Sequence, residues 1–402
     1  MSELLAEKKA VESKYDVVIV GGAATGSSLA YFLSASASFN GSILVLEKDA
    51  SYQKCATALS AASIRHQFST PENIQLSQFG TEFLRSIGDR LAVDDDRPDV
   101  GFQEKGYLFL ATPGGEDVMR QNNALQRSLG ADIELRTPEE LKATWPWLNV
   151  SDLALGSYGV TGEGWLDAYG MMRAFRRKAI AQGVNYVEDE VLAIGKTGRK
   201  ITSVTLKSGR TVECGTLVNA AGTGAAALSA QAGIALPQQS RKRSVFYFTC
   251  PEKITDCPMV IDPSGAYFHP EGDGFIGGIQ PPEDQDPECF DFDVQHYLFD
   301  DILWPILAAR VPAFEALRCE HAWAGHYDYN TFDQNVILGY HPDVDNMVYA
   351  NGFSGHGMQQ SPAVGRGLAE LIEFGQYRSL DLSRMGWERV LKNQPIVELN
   401  VW

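Results

Sequence analysis

Tyr15-Asp16-Val17-Val18-Ile19-Val20-Gly21-Gly22-Ala23-Ala24-Thr25-Gly26-Ser27-Ser28-Leu29-Ala30-Tyr31-Phe32-Leu33 decides the fold of this chain. Its opening is a short β-branched apolar run, which reads as a buried parallel strand rather than one face of a helix. Gly21 and Gly22 stop that run, and small residues lead into the helical pattern SSLAYFLSA. After Asn40-Gly41 a second apolar run, Ile43 to Leu46, ends at Glu47, so the segment is a βαβ unit.

A strand, glycine turn, helix and second strand closed by an acid is the layout that holds the ADP half of a dinucleotide. The free N–H groups of the helix N-terminus take the pyrophosphate, and the acid accepts ribose hydroxyls. Glu47 lies about 20 residues past Gly26, the separation expected of that acid. In the string Gly21-Gly22-Ala23-Ala24-Thr25-Gly26, Ala23 stands where a second glycine is usual, and its methyl group sets the phosphates slightly outward.

Farther on, Val184 to Val191, Ile201 to Leu206 and Thr211 to Val218 read as strands, with Ser208-Gly209 as a hairpin turn. The last runs into Asn219-Ala220-Ala221-Gly222, small enough to let backbone approach a cofactor or a neighbouring helix. Near the end, Met347 to Ala350 is a strand that enters Asn351-Gly352-Phe353-Ser354-Gly355-His356-Gly357-Met358, and a helix is expected from about Ala363 to Glu373. A second glycine-rich strand-to-helix turn means the cofactor touches both ends of the chain and is longer than a mononucleotide.

The chain has 402 residues, 44% of them hydrophobic and 21% charged, enough for two domains with real cores. Its net charge of −17 opposes a broad nucleic-acid or anionic-membrane surface. The six cysteines are scattered without a CxxC pair, which indicates neither a zinc knuckle nor a disulfide framework and favours a reducing compartment, the cytoplasm. MSELLAEKKAVESK has no apolar core and is not acid-poor, so it reads as a frayed lead-in and not as a targeting segment. The long uncharged stretches Val17 to Leu46 and Cys214 to Ser240 are too broken by glycine and polar residues to span a membrane. His321 and His326 lack zinc-ligand spacing, and Gly352-Phe353-Ser354-Gly355-His356 misses the hydrolase elbow at its last place.

The motifs together resemble the D-amino-acid oxidase superfamily of FAD enzymes, which includes glycine and sarcosine oxidases. The resemblance rests on YDVVIVGGAATGSSLAYFL, SIRHQFSTPENIQLS, GEGWLD, LVNAAG, SGAYFHPEG, RVPAFE, AWAGHYDYNTFDQNVILGYHP and FSGHGMQQSPAVGRGLAELI. Within the superfamily it is nearest to a mitochondrial subgroup linked to assembly of respiratory complex I. It implies an α/β fold: a Rossmann-like, glutathione-reductase-like FAD-binding domain, and an α+β antiparallel-sheet substrate domain formed by insertions. The expected division is an N-terminal tail over 1–14, the FAD-binding domain over 15–100, 151–236 and 321–402, and the substrate domain over 101–150 and 237–320.

It also implies non-covalent FAD. Adenosine would sit on Glu47 and Lys48, and the pyrophosphate at the turn Gly21 to Gly26. Ser60, Ala62, Ser63 and Ile64 would lie along the flavin, Val191 would meet adenine through its backbone, and Ala221-Gly222 would pass close by. Phe353, Ser354, Gly355, His356, Gly357, Met358 and Gln359 would run beside the ring system. Tyr267 matches a glycine-oxidase tyrosine over the flavin, and His269 shares its strand face.

Two departures bear on the substrate. The bidentate arginine that anchors a substrate carboxylate in glycine and D-amino-acid oxidases falls at Tyr327, and the second glycine-oxidase arginine falls at Gly355. The sarcosine-oxidase lysine that assists reaction with oxygen falls near Ile276. Arg65, His66 and Arg243 are the cations left to hold an anionic substrate, although Arg241-Lys242-Arg243 also reads as a solvated strand edge. Trp323, His326 and Tyr329 fit an aromatic amine pocket or a core stripe equally well. The expected activity is oxidation of an amine or amino acid, a secondary amine in preference, to an imine, with Tyr267, His269, Arg65 and His356 at the reacting centre and O2 or another redox partner as electron acceptor. The alternatives are an assembly or binding factor of the same fold with little turnover, and an NAD(P)-linked Rossmann dehydrogenase.

Overall fold

The computed structural model describes residues 11–399. Most of the expected tail lies outside the described residues, and Lys14 already belongs to the first strand, Lys14–Val20. That strand is central in its sheet, paired in parallel with Ile43–Glu47 on one side and Thr211–Asn219 on the other. Asn185–Glu188 extends the sheet beyond Ile43–Glu47, and Met347–Asn351 extends it beyond Thr211–Asn219, both in parallel. Ile337–Tyr340 closes the edge in antiparallel fashion.

Alternation along the central strands divides their side chains between two cores. Val17, Ile19, Ile43 and Val45 pack with helices Ala24–Ala35, Pro71–Arg85, Ala168–Ala181 and Gly357–Phe374. Val18, Leu44 and Leu46 pack on the other face with Ile201, Val204, Leu228 and Trp387. Helices Ala24–Ala35 and Gly357–Phe374 cross almost backbone to backbone, since a Cβ on Gly365 would stand 2.7 Å from the carbonyl carbon of Ser28.

The long helix Gly357–Phe374 starts well before the expected Ala363 and carries Pro362 inside it. Proline removes the N–H that would bond the Met358 carbonyl. Ser361 compensates, because its hydroxyl donates to Met358 O at 2.9 Å.

The second sheet is eight-stranded, in the order Arg318–Asn330, Gln238–Thr249, Gly274–Gly278, Tyr267–Glu271, Met259–Ile261, Tyr107–Ala111, Leu155–Gly159, Ile133–Arg136. One of its ladders, Tyr107–Ala111 with Met259–Ile261, is parallel, so the sheet is mixed and not wholly antiparallel. The sequence-based boundaries also shift. Leu155–Gly159 and Arg318–Asn330, placed by sequence in or across the FAD-binding domain, hydrogen-bond throughout into the second sheet. Among the described residues no helix is long and apolar enough to cross a membrane, and no His/Cys/Asp/Glu group is placed to hold a metal ion.

Candidate active site

The glycine turn is tight because three pieces of backbone meet there. Gly21 has φ +102°, and a Cβ on it would stand 2.1 Å from Ala220 O. A Cβ on Gly26 would stand 1.9 Å from Gly21 O. Glu47 ends its strand facing the turn, and its Oε2 accepts the Gly22 N–H at 2.9 Å. Ala23 is the N-cap of the first helix and supplies no side-chain cap, which leaves the first-turn N–H groups of Ala24, Thr25 and Gly26 to an outside acceptor. Ala221 and Gly222 follow directly on the strand that flanks the turn, Lys48 is exposed on its rim, and Val191 begins a strand two residues after Asp189, whose N–H reaches Glu47 O at 2.9 Å. An anion at an uncapped helix N-terminus with a carboxylate beside it suits a nucleotide pyrophosphate and its ribose.

The loop through Ser60 and Ala62 enters a two-residue strand, Ser63–Ile64, which pairs with Gly164–Trp165. Ala62 holds φ +54°, and its N–H bonds the Ser60 hydroxyl at 3.2 Å. Ser60 and Ala62 line a cleft of about 700 Å³ shared with Trp165, His269, Ile276 and Trp323. Arg65 follows on, 3% exposed, with its guanidinium over the rings of Phe68 at 4.4 Å and Phe109 at 5.1 Å. Its Nη2 lies 3.2 Å from His356 Nε2, so the imidazole accepts from the guanidinium, and burial together with Arg65 holds His356 neutral, down to about 3. His356 is the N-cap of the long helix Gly357–Phe374 and provides no side-chain cap, leaving the N–H groups of Gly357, Met358 and Gln359 at a positive helix end. The side chains of Met358 and Gln359 turn inward: Met358 joins the core, and Gln359 Oε1 accepts the Arg65 N–H at 2.9 Å.

The strand residues Asp328 and Asn330 fix the loop that carries Phe353, Ser354 and Gly355. Asp328 Oδ2 accepts the Gly352 N–H at 2.9 Å, and the Ser354 hydroxyl accepts the Asn330 N–H at 2.9 Å. Burial raises the Asp328 carboxyl to about 6. Tyr327 therefore stands over Gly355, where a Cβ would be 2.6 Å from its ring.

The second sheet turns an aromatic face to this region. Tyr107, Phe109, Met259, Ile261, Trp165 and Tyr267 form one cluster. The guanidinium of Arg243 lies over the Tyr327 ring at 5.0 Å, and the charge of Arg65 is felt at the hydroxyls of both Tyr107 and Tyr327.

Three expectations change. His269 does share a face with Tyr267, but its Nε2 is 3.2 Å from Ala61 O and its Nδ1 2.8 Å from Pro270 O, so whichever nitrogen carries the single N–H of the neutral ring faces a protein carbonyl and is not open as a substrate donor. His66 points away, with Nε2 on the Thr81 hydroxyl at 2.9 Å. Arg243 is no solvated edge, because it is 6% exposed, lies over the Tyr327 ring and is paired with Asp286. Sequence reasoning missed Tyr107, Phe109, Asp328 and the buried Glu163, whose carboxylate accepts the His66 N–H at 2.5 Å and Gln67 Nε2 at 2.8 Å. The one available signal was Glu163 inside GEGWLD, an acid among small and apolar residues.

The profile of the DAO family, described as FAD dependent oxidoreductase, matches residues 16–371. The chain belongs to this family. Its FAD dependence follows, and the turn, the acid and the two uncapped helix ends are a cradle that fits that cofactor. The chain is 42% identical to FAD-dependent oxidoreductase domain-containing protein 1 of Xenopus laevis, over 96% of this chain and 84% of that one. It is 24% identical to human mitochondrial sarcosine dehydrogenase, over 90% of this chain and 40% of that one. Among solved structures it is similar to L-proline dehydrogenase from P. horikoshii, with TM-score 0.84 and 26% identity over 96% of this chain and 100% of that one. It shares its fold with glycine oxidase from Geobacillus kaustophilus, with TM-score 0.80 and 24% identity over 93% and 98% of the two chains.

Proposed function

We propose that this FAD-dependent oxidoreductase oxidises the C–N bond of an amine or amino acid, a secondary amine in preference, to an imine. FAD, bound non-covalently along Gly21–Gly26, Ser60–Ile64 and Phe353–Gln359, supplies the two-electron acceptor for the hydride lost from the carbon next to nitrogen. The reading is supported above all by the position of Arg65, a buried guanidinium between the N-terminus of helix Gly357–Phe374 and the aromatic face of the second sheet.

Each residue then has a task. Arg65 holds an anionic group of the substrate, kept in place by its ring contacts and by His356. Tyr107, Phe109 and Tyr267 exclude water and pack the substrate's apolar part, which keeps the amine neutral so that its lone pair can form the C=N bond. The uncapped helix N-terminus at Gly357 would favour an anionic group held beside it. No dedicated base is needed, because most of the effect comes from positioning.

The test is anaerobic stopped-flow reduction of the bound flavin with glycine, D-alanine, sarcosine, N-methylated larger amino acids and simple secondary amines. Secondary amines are expected to bleach the flavin at least tenfold faster than glycine or D-alanine, and Arg65→Ala to slow the anionic substrates most. Rapid reduction by glycine or D-alanine, unchanged in Arg65→Ala and Tyr267→Phe, would overturn the reading. Re-oxidation of the reduced protein by air or by a quinone then identifies the acceptor class.

A further inference from the structure

We propose that Arg241 and Arg243 form a second anion subsite, with Asp286 as its built-in occupant, and that the substrate carries a second anionic group that takes Asp286's place. This rests on the amine-oxidation reading for the word substrate; the subsite itself stands on its own geometry.

The two arginines are two apart on one strand, so they share a face, and the register sets Arg241 opposite Tyr327 and Gln239 opposite Tyr329 on that same face. Each guanidinium lies over a ring: Arg243 at 5.0 Å from the centre of Tyr327, and Arg241 at 5.3 Å from that of Tyr329. A guanidinium stacked on a ring has its donors pointing outward along the plane, aimed at an acceptor.

Their shared carboxylate is Asp286. Arg243 Nη1 and Nη2 donate to its two oxygens at 2.8 and 3.0 Å, and Arg241 Nη1 lies 3.9 Å from Oδ2. Arg241 also donates to Gln239 Oε1 at 2.6 Å, and Arg243 to the Lys242 carbonyl at 2.7 Å. The charge count is two cations to one anion. The Nε of each arginine is buried and has no hydrogen-bond partner among the described residues. A buried guanidinium with an idle donor is costly, and a larger or better-placed anion removes that cost.

Asp286 is also built to leave. It sits on a loop whose neighbours Glu283, Asp284, Gln285, Pro287 and Glu288 are exposed, as is Phe290 at 66%. Exchange of Asp286 for a substrate carboxylate keeps the number of ion pairs on Arg243 constant, so the buried charge is never left alone, whereas a neutral group entering there would break a buried pair. The loop is held nearby in the meantime by Cys289 N–H on Ser240 O at 2.9 Å and Lys242 on Asp291 at 2.6 Å.

The experiment uses the FAD-loaded protein with succinate and propionate, a dicarboxylate and a monocarboxylate, and reads binding by perturbation of the flavin spectrum and by calorimetry without turnover. Wild type is expected to bind succinate at least tenfold more tightly than propionate. Asp286→Asn is expected to tighten succinate a further tenfold or more and leave propionate within threefold. Arg243→Met is expected to bring the two ligands to parity, and Arg241→Met, which keeps the Arg243–Asp286 pair, to lose part of the preference. Equal affinity for the two ligands, or a succinate affinity that Asp286→Asn leaves unchanged or lowers, overturns the proposal. If succinate behaves as expected while no amine reduces the flavin, the amine-oxidation reading fails and the subsite stands. If amines are oxidised but succinate and propionate bind alike, the reverse holds.

Discussion

Tyr327 rests on Gly355 so closely that a Cβ built on the glycine would lie 2.6 Å from the tyrosine's Cε2. These are the two positions at which glycine oxidases carry substrate-binding arginines by the motif comparison. With Tyr327 in this place there is no room for an arginine at 355, so the two departures are one change in packing. Neither position can therefore supply a guanidinium to the site.

Gly355 also holds φ +98°, which a side chain adopts at a cost of about 1–2 kcal/mol. Gly355→Ala is therefore expected to lower the melting temperature and slow flavin reduction at least tenfold. Adding Tyr327→Ala relieves the clash but not the backbone strain, so the double variant should recover part of the stability lost in the single one. Full additivity in that cycle would show that the two residues do not press on each other.

Glu47→Ala is expected to weaken FAD retention at least tenfold, since the carboxylate ends its strand facing the turn and accepts the Gly22 N–H. The chain should remain folded, as Glu47 is not a core residue, and circular dichroism with flavin release on ultrafiltration separates the two effects. Gly26→Val should be worse, because any Cβ there meets Gly21 O. Acid precipitation of the wild type should leave the yellow colour in the supernatant, and colour in the pellet would mean a covalent flavin.

Asp328 joins the substrate sheet to the terminal glycine loop through the Gly352 N–H. Asp328→Ala leaves that buried donor unpaired, a loss of about 1–3 kcal/mol, and should loosen the loop and slow flavin reduction. Asp328→Asn keeps an oxygen acceptor and should retain most of the activity. Equal damage from both variants would mean that the charge, and not the acceptor, is what the loop requires.

Glu163 carries a pH signature. Burial pushes its carboxyl up to about 7 from an unfolded value of 4.5. The unfolded chain therefore ionises first as pH rises, and Glu163's contribution to stability, full below pH 4.5, is lost between about pH 4.5 and 7, by roughly 1.4 kcal/mol per unit. His66 and His356, held down to about 4 and about 3, act oppositely and lower stability as pH falls below 6.5. Denaturant melts of wild type and Glu163→Gln at pH 5 and pH 8 isolate the carboxyl, because the histidine effects cancel in the difference. The variant should gain on wild type by about 2–3 kcal/mol over that range, and no gain would place Glu163 in a more polar setting than the fold gives it.

The turn from Gly21 to Gly26 and its acid at Glu47 were legible from sequence because every part of that unit is local: a β-branched run, glycines that only a tight turn requires, a helical period and a second run with one acid at its end. The terminal glycine loop was legible for the same reason, although Pro362 hid the true start of its helix and only Ser361 on Met358 O explains why the helix tolerates it. What only the tertiary structure decided is non-local. Leu155–Gly159 and Arg318–Asn330 join ladders with strands far away in the chain, which neither segment's own residues specify, so the domain boundaries moved. Arg243 reads as a solvated charge until Tyr327 and Asp286, from two other segments, are found to cover it. Tyr107 and Phe109 carried no signal in the sequence, and only the Arg65 guanidinium over Phe109 marks their strand as part of the site. Periodicity reports that one face of a strand is buried; which residues bury it, and whether a charge there is paired, follows from contacts between segments far apart in the chain.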